Sequence, residues 1–416
     1  MSVHVVVLGD HPIRLWGLST RERVERVLRG SGARGPVKDL ESVPDEGSVL
    51  LLRADYLYDN RVLQALLGRE GVLLTAEDTA RTPVAAHVPR PLAERARDVL
   101  LGDAPANVLP ELARESPSTL SSGYQARLRK FEAPFVYPVT ESNRRLLERE
   151  LFSGSYKGVT DLVTKFAWPR PARAATRFCV RHGLRPNHVT LASLVLVLVA
   201  MYLFARGHYG SGLLAAWVMT FLDTVDGKLA RVTVTSTHFG YLFDHAIDLF
   251  SPPIWYIVWG LSLPRFEVGI PRLSLEAVLW LIVVGYAIGR LVEGVFKQCL
   301  GRFGVFCWRP TDSYFRLITA RRNPNLILLT LATLLGRPDL GLLAVALWTV
   351  STSLFLVWRL ALAGYLRLTS GPLRSWFEDI DPDVDRDSLA ARWFTRRQPV
   401  STTAADKSGA SSLGCR

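Results

Sequence analysis

Residues 223–248 read DTVDGKLARVTVTSTHFGYLFDHAID and set four carboxylates, Asp223, Asp226, Asp244 and Asp248, among apolar segments. Asp223 and Asp226 are three positions apart and Asp244 and Asp248 four apart, so on two helices each pair projects from a single face. Four carboxylates converging on one pocket repel and partly protonate unless cations sit between them. One or two hard divalent metals are the least costly way to let them coexist. The pattern points to metal-assisted phosphoryl chemistry at a membrane.

The surroundings supply the membrane. Six apolar segments are predicted as spans, at about 189–204, 212–229, 241–261, 275–296, 326–335 and 342–368, the fifth short and the sixth long. MSVHVVVLGDHP, at the N-terminus, lacks a basic region followed by an apolar stretch and a small-residue cleavage site, so a cytosolic start is expected. The loop 301–323, carrying Arg302, Arg309, Arg316, Arg321 and Arg322, then falls inside, as the positive-inside rule asks; Arg265 and Arg272, outside, run against it. Both acidic pairs meet just inside the cytosolic face. Intramembrane carboxylates are expensive without pairing or function. The chain therefore reads as a multi-pass protein of the plasma (inner) membrane with its acidic site cytosolic.

A formal charge of +12 over 416 residues, 49% of them hydrophobic, admits nucleic acid as a partner. The arginines, however, gather beside the spans, with no aromatic single-strand platform or zinc-finger spacing. Membrane lipids are the expected partner, and nucleic acid is not. Cys179, Cys299, Cys307 and Cys415 are scattered without a CxxC pair, so neither a disulfide framework nor a structural zinc site is indicated.

Upstream, short β-rich runs (4–8, 49–52, 71–75) alternate with helical patterns (20–29, 59–67), which predicts an α/β domain with a largely parallel sheet over residues 1–140. A linker and interfacial helix follow over 141–187. There SYKGVTDLVTKFAWPRPARAATRF mixes Lys157, Lys165, Arg170, Arg173 and Arg177 with Phe166, Trp168 and Phe178. The all-α membrane domain is expected over 188–369, and a fraying cytosolic tail over 370–416.

The acidic stretch reads D-x-x-D-G-x-x-A-R, eight residues, then G-x-x-x-D-x-x-x-D, and it resembles the signature of the CDP-alcohol phosphotransferase family at every specified position. PNHVT, 186–190, is similar to the family's short motif before its first span. The resemblance implies displacement of CMP from a CDP-alcohol donor by the hydroxyl of an alcohol acceptor, either a lipid or a phosphorylated polyol. It also implies Mg2+ or Mn2+, two ions, neutralising the diphosphate. Asp223, Asp226, Asp244 and Asp248 would hold metal, with Asp248 also the base. Gly227, Ala230, Arg231, Gly240, Asn187 and Thr190 would bind the CDP-alcohol, and a homodimer through membrane helices is implied.

For the acceptor, Arg290 in the fourth span, with Arg316, Arg321 and Arg322 in the following basic segment, would suit a phosphate. A positive-inside loop supplies the last three without any ligand, and that alternative stays open.

The fusion of an α/β domain to this membrane domain resembles inositol-phosphate cytidylyltransferases joined to di-inositol-phosphate-phosphate synthases. LLLRADYLYDNRVLQALL resembles that cytidylyltransferase's strand, metal-binding aspartate and following helix, with Asp55 at the aspartate position. The loop VVVLGDHPIRLWGLSTRERV has only Gly9 and Gly17 flanking Arg14 and no downstream Lys-Pro, so triphosphate binding lacks its cradle. The domain reads as a nucleotidyltransferase-like relic. A bifunctional enzyme is one alternative. A transporter with a carboxylate cation site is the other, disfavoured because the acids sit at the edge of the membrane and no repeat is present.

Overall fold

The computed structural model describes residues 3–29, 31–37, 39–236, 238–380, 385 and 388–396, with the side chains of 238, 239 and 241–244 outside the description. The chain divides into two compact units: residues 1–125, 131–151 and 395–416 in the first, 126–130 and 152–394 in the second.

In the first unit, β1 (Val3–Leu8), β2 (Arg34–Val37), β3 (Ser48–Arg53), β5 (Val72–Thr75), β6 (Pro83–Pro89) and β7 (Ala113–Glu115) form one sheet in the order β2-β1-β3-β6-β5-β7. A short β4 (Tyr56–Tyr58) pairs elsewhere, antiparallel to Val136–Pro138. The runs VVVL and VLLL are apolar at every position because both faces of the sheet are covered. Val5 and Val7, with Leu50 and Leu52, pack under α1 (Thr20–Leu28) and α2 (Asn60–Leu67). Val6 and Leu8, with Val49 and Leu51, pack under α3 (Ala93–Leu101). α1 starts at a reciprocal cap, in which Ser19 Oγ accepts from the Glu22 amide and the Glu22 carboxylate accepts from the Ser19 amide.

The sheet is mixed where a largely parallel one was expected. β1 runs parallel to β2 and β3, and β5 to β7, but β6 is antiparallel to both β3 and β5. The short connection between β5 and β6 is the reason: it can only turn the chain back, whereas a parallel pair needs a long crossover. α4 (Pro117–Leu120) and α5 (Arg144–Gly154) are the remaining α-helices before residue 155.

The second unit is helical: α6 (Pro169–Arg181), α7 (Pro186–Ala205), α8 (Tyr209–Val232), α9 (His238–Leu261), α10 (Leu275–Val295), α11 (Pro310–Ile318), α12 (Arg322–Leu334) and α13 (Pro338–Ser370). Its core gathers Phe204 of α7, Met219 of α8, Trp255, Tyr256 and Trp259 of α9, Ile282 of α10, Leu326 of α12 and Val345 of α13. Gly212 lets α7 and α8 approach closely, since a Cβ there would stand 2.5 Å from the Phe204 ring.

Among the described residues, three helical stretches are long and apolar enough to cross a membrane: Pro186–Ala205, Leu275–Leu300 and Pro338–Ser370. They turn large apolar side chains outward, among them Leu191 and Leu198, Trp280 and Leu291, Leu354 and Trp358, as lipid-facing helices do. This is a membrane protein. Of the other three expected spans, α8 carries Asp223, Asp226, Lys228 and Arg231 in its C-terminal half and α12 has 13 residues, about 20 Å of helix, while the start of α9 lies partly outside the described residues.

Candidate active site

Asp223 and Asp226 lie in the C-terminal half of α8 and Asp248 in the third turn of α9. Arg322, the first residue of α12, reaches both helices: Nη1 donates to Asp248 Oδ1 at 2.6 Å and Nη2 to Asp223 Oδ2 at 2.6 Å. Carboxylates of two helices therefore lie within the span of one guanidinium. Asp226 is buried, 4% exposed, and its Oδ2 accepts from Thr190 Oγ1 at 2.7 Å. The PNHVT segment at the start of α7 thus reaches the acidic site through Thr190, while Asn187 is exposed at the second residue of that helix.

The Asp244 side chain, predicted as a metal ligand, lies outside the described residues. Among the described residues no group of three or more His, Cys, Asp or Glu side chains stands ready to hold a metal. What is described is a set of hard oxygen donors that already accommodates a cation, the Arg322 guanidinium, and that chemistry fits a hard divalent ion. Asp223, Asp226 and Asp248 are the described residues that would hold it.

Gly227 and Arg231 are a matched pair one turn apart. The Arg231 side chain runs back along α8, and a Cβ on Gly227 would stand 3.0 Å from its Nη2. The glycine makes room for the guanidinium. Ala230 is half-buried on the same helix and Gly240 sits in the first turn of α9.

The predicted acceptor residues separate into two groups. Arg322 is engaged by Asp223 and Asp248 as above. Arg290 and Arg321 both approach Glu293 near the end of α10, Arg290 Nη2 at 3.5 Å and Arg321 through one nitrogen, Nη2, which donates to both carboxylate oxygens. Arg316 on α11 is buried, with Nε and Nη1 lacking hydrogen-bond partners, and both Arg316 and Arg321 lie over the Phe306 ring, at 5.6 and 5.8 Å.

Several contributors escaped the sequence reading. Asp161 accepts from the Thr164 amide at 3.0 Å, Thr164 Oγ1 at 2.8 Å and Asn323 Nδ2 at 2.9 Å, which anchors the residue next to Arg322. Burial alone would push the Asp161 carboxyl up, but Arg316, the Thr164 amide and Asn323 hold it below the usual carboxylate value. Lys228 Nζ sits 3.6 Å from the centroid of the Tyr156 ring. Tyr286 of α10 donates its hydroxyl to the Leu249 carbonyl at 3.0 Å. The legible signal for Tyr286 was Pro252-Pro253 inside an apolar span, which had to leave carbonyls without donors.

In the first unit, both oxygens of Asp55 accept from Arg53, at 3.0 and 2.7 Å, and Arg14 is drawn to Glu22 and to the Gly17 carbonyl, the latter at 3.0 Å.

Residues 184–296 match the family model described as CDP-alcohol phosphatidyltransferase. Among similar proteins, a phosphatidylinositol phosphate synthase of Mycolicibacterium smegmatis is 29% identical over 114 residues, 26% of this chain and 51% of that one. A bifunctional IPC transferase and DIPP synthase of Rubrobacter xylanophilus is 27% identical over 212 residues, 51% of this chain and 45% of that one. An archaetidylinositol phosphate synthase of Pyrococcus horikoshii is 35% identical over 82 residues, 20% of this chain and 42% of that one. The matches span about half the length of these curated relatives or less.

Proposed function

We propose that this chain, a membrane protein carrying a CDP-alcohol phosphatidyltransferase domain over residues 184–296, moves a phosphoalcohol or phosphatidyl group from a CDP-linked donor to an alcohol acceptor and releases CMP. The observation that carries this reading is the bridge of Arg322 to Asp223 and Asp248, because it gathers acids of α8 and α9 at one point. An acidic site of that kind suits Mg2+ or Mn2+, two ions when Asp244 joins, which when bound neutralise the diphosphate and the departing CMP.

In the proposed reaction the acceptor oxygen bonds to the phosphorus bearing the donor alcohol, the bond from that phosphorus to the bridging oxygen breaks, and CMP leaves with that oxygen. The acceptor proton passes to Asp248, the most exposed of the three described acids, its side chain 39% accessible against 19% for Asp223, with Asp226 buried. Arg231, laid over Gly227, and Asn187, exposed at the start of α7, are the donor-side candidates, with Ala230 and Gly240 leaving space; Thr190 acts by holding Asp226. Arg290 and Arg321 pair with Glu293, and Arg316 faces both Glu293 and Asp161 while its Nε and Nη1 keep buried donors unused, so three guanidinium groups stand against two carboxylates. That surplus of positive charge favours a phosphorylated polar alcohol over a neutral one as acceptor. The basic segment 301–323, which contains α11, supports a plasma-membrane orientation with the acidic site facing the cytosol.

The test is CMP release by the full chain against a panel of CDP-alcohols and acceptors, with and without Mg2+ or Mn2+. Asp248→Asn should abolish transfer while donor and metal still bind; wild-type turnover in that variant rules out Asp248 as the base.

A further inference from the structure

α9 contains Pro252 and Pro253, one turn beyond Asp248. Proline has no amide hydrogen, so the carbonyls four residues earlier, those of Asp248 and Leu249, lose the donor a helix would supply. A helix carbonyl without its amide donor calls for another partner, and here two fall on consecutive residues. Tyr286 of α10 turns its hydroxyl into this gap, 3.0 Å from the Leu249 carbonyl and 3.5 Å from that of Asp248. A hydroxyl carries one proton, so the Leu249 carbonyl takes the main bond and the Asp248 carbonyl a weak share.

We propose that Tyr286 is a positioning residue for phosphoalcohol transfer: its hydroxyl replaces the helix hydrogen bond that Pro253 removes and fixes the turn of α9 that carries Asp248. The inference rests on reading Asp248 as the base and a metal ligand. Two neighbouring helices then hold that turn, α12 through the Asp248 carboxylate, by Arg322, and α10 through the Leu249 carbonyl next to it, by Tyr286. Each removes a different freedom. Without the hydroxyl, the turn before the proline pair is pinned only at its side chain, and the carboxylate drifts from the line of attack.

The proline pair also provides the test. Pro253→Ala returns an amide donor to the Leu249 carbonyl and makes the tyrosine hydroxyl redundant. In the full-length protein, assayed with CDP-diacylglycerol and inositol phosphate, Tyr286→Phe should lower kcat about tenfold and leave KM for the donor within about twofold, the signature of a misplaced reacting group. Mn2+ affinity, measured without turnover, should weaken about threefold, because one ligand is less well fixed. Combining Tyr286→Phe with Pro253→Ala should bring both quantities back towards wild type. Wild-type kcat and Mn2+ affinity in Tyr286→Phe overturn the proposal, and so does a double variant as impaired as the single one. Should Asp248→Asn retain turnover, the base assignment itself falls; an inactive Asp248→Asn beside an unaffected Tyr286→Phe sinks only the role of the tyrosine.

Discussion

Arg322 on α12 joins Asp223 on α8 to Asp248 on α9, with one guanidinium nitrogen 2.6 Å from an oxygen of each. A single cation therefore offsets the repulsion between two helices that would otherwise face each other with bare carboxylates. A divalent ion entering the site competes for the same oxygens.

Arg322→Met should expose that competition. Losing one partner of a half-buried ion network costs about 2–3 kcal/mol, discounted for the exposure of Asp248. Thermal melting of the solubilised protein should show the loss, and Mg2+ should recover more stability in the variant than in wild type. Equal Mg2+ stabilisation in both would mean that the guanidinium and the ion use different oxygens.

Asp161→Ala should act on stability, since it leaves Asn323 and Thr164 without their acceptor in a buried network. About 3 kcal/mol is expected. The pH dependence has a definite sign. The folded carboxyl lies below its ordinary value, so its contribution is present above about pH 4 and is lost as pH falls through the folded value. Unfolding free energies of wild type and variant, measured side by side from neutral to acid pH, should draw together at low pH.

Gly227→Ala places a methyl 3.0 Å from the Arg231 guanidinium, the movable end of a long side chain. Folding should survive, with a change within about 1 kcal/mol, while donor KM rises as Arg231 is pushed from its seat. An unchanged KM would remove Arg231 from the donor site.

The full chain should not condense CTP with an alcohol phosphate. Asp55 is committed to Arg53 and Arg14 to Glu22 and Gly17, and the loop between β1 and α1 offers no lysine to a triphosphate. Pyrophosphate release from CTP would establish the bifunctional alternative.

Much of this was legible from the chain because the chemistry is local. The spacing of Asp223, Asp226, Gly227 and Arg231 along one helix is fixed by 3.6 residues per turn, so the acidic face and the glycine beneath the arginine follow from order alone. The alternation of apolar runs and helical patterns likewise pointed to the α/β unit, and the run lengths to α7, α10 and α13 as helices long and apolar enough to cross a membrane. Strand direction was less legible: β6 turns back through a short connection, and no periodicity distinguishes that from a crossover.

What the sequence determined by itself is the signature-like spacing of its acids and glycines and the residue types that the proposed reaction would use. What only the tertiary structure decided is which partner each takes. Arg322, read as an acceptor ligand, is spent on Asp223 and Asp248; Thr190, read as a donor ligand, holds Asp226; Tyr286, unread, supplies the donor that Pro253 withholds. These pairs join positions 36 to 99 residues apart. Hydrogen bonds and ion pairs act over about 3 Å in space, and only the packing of α7, α8, α9, α10 and α12 brings such positions within that reach.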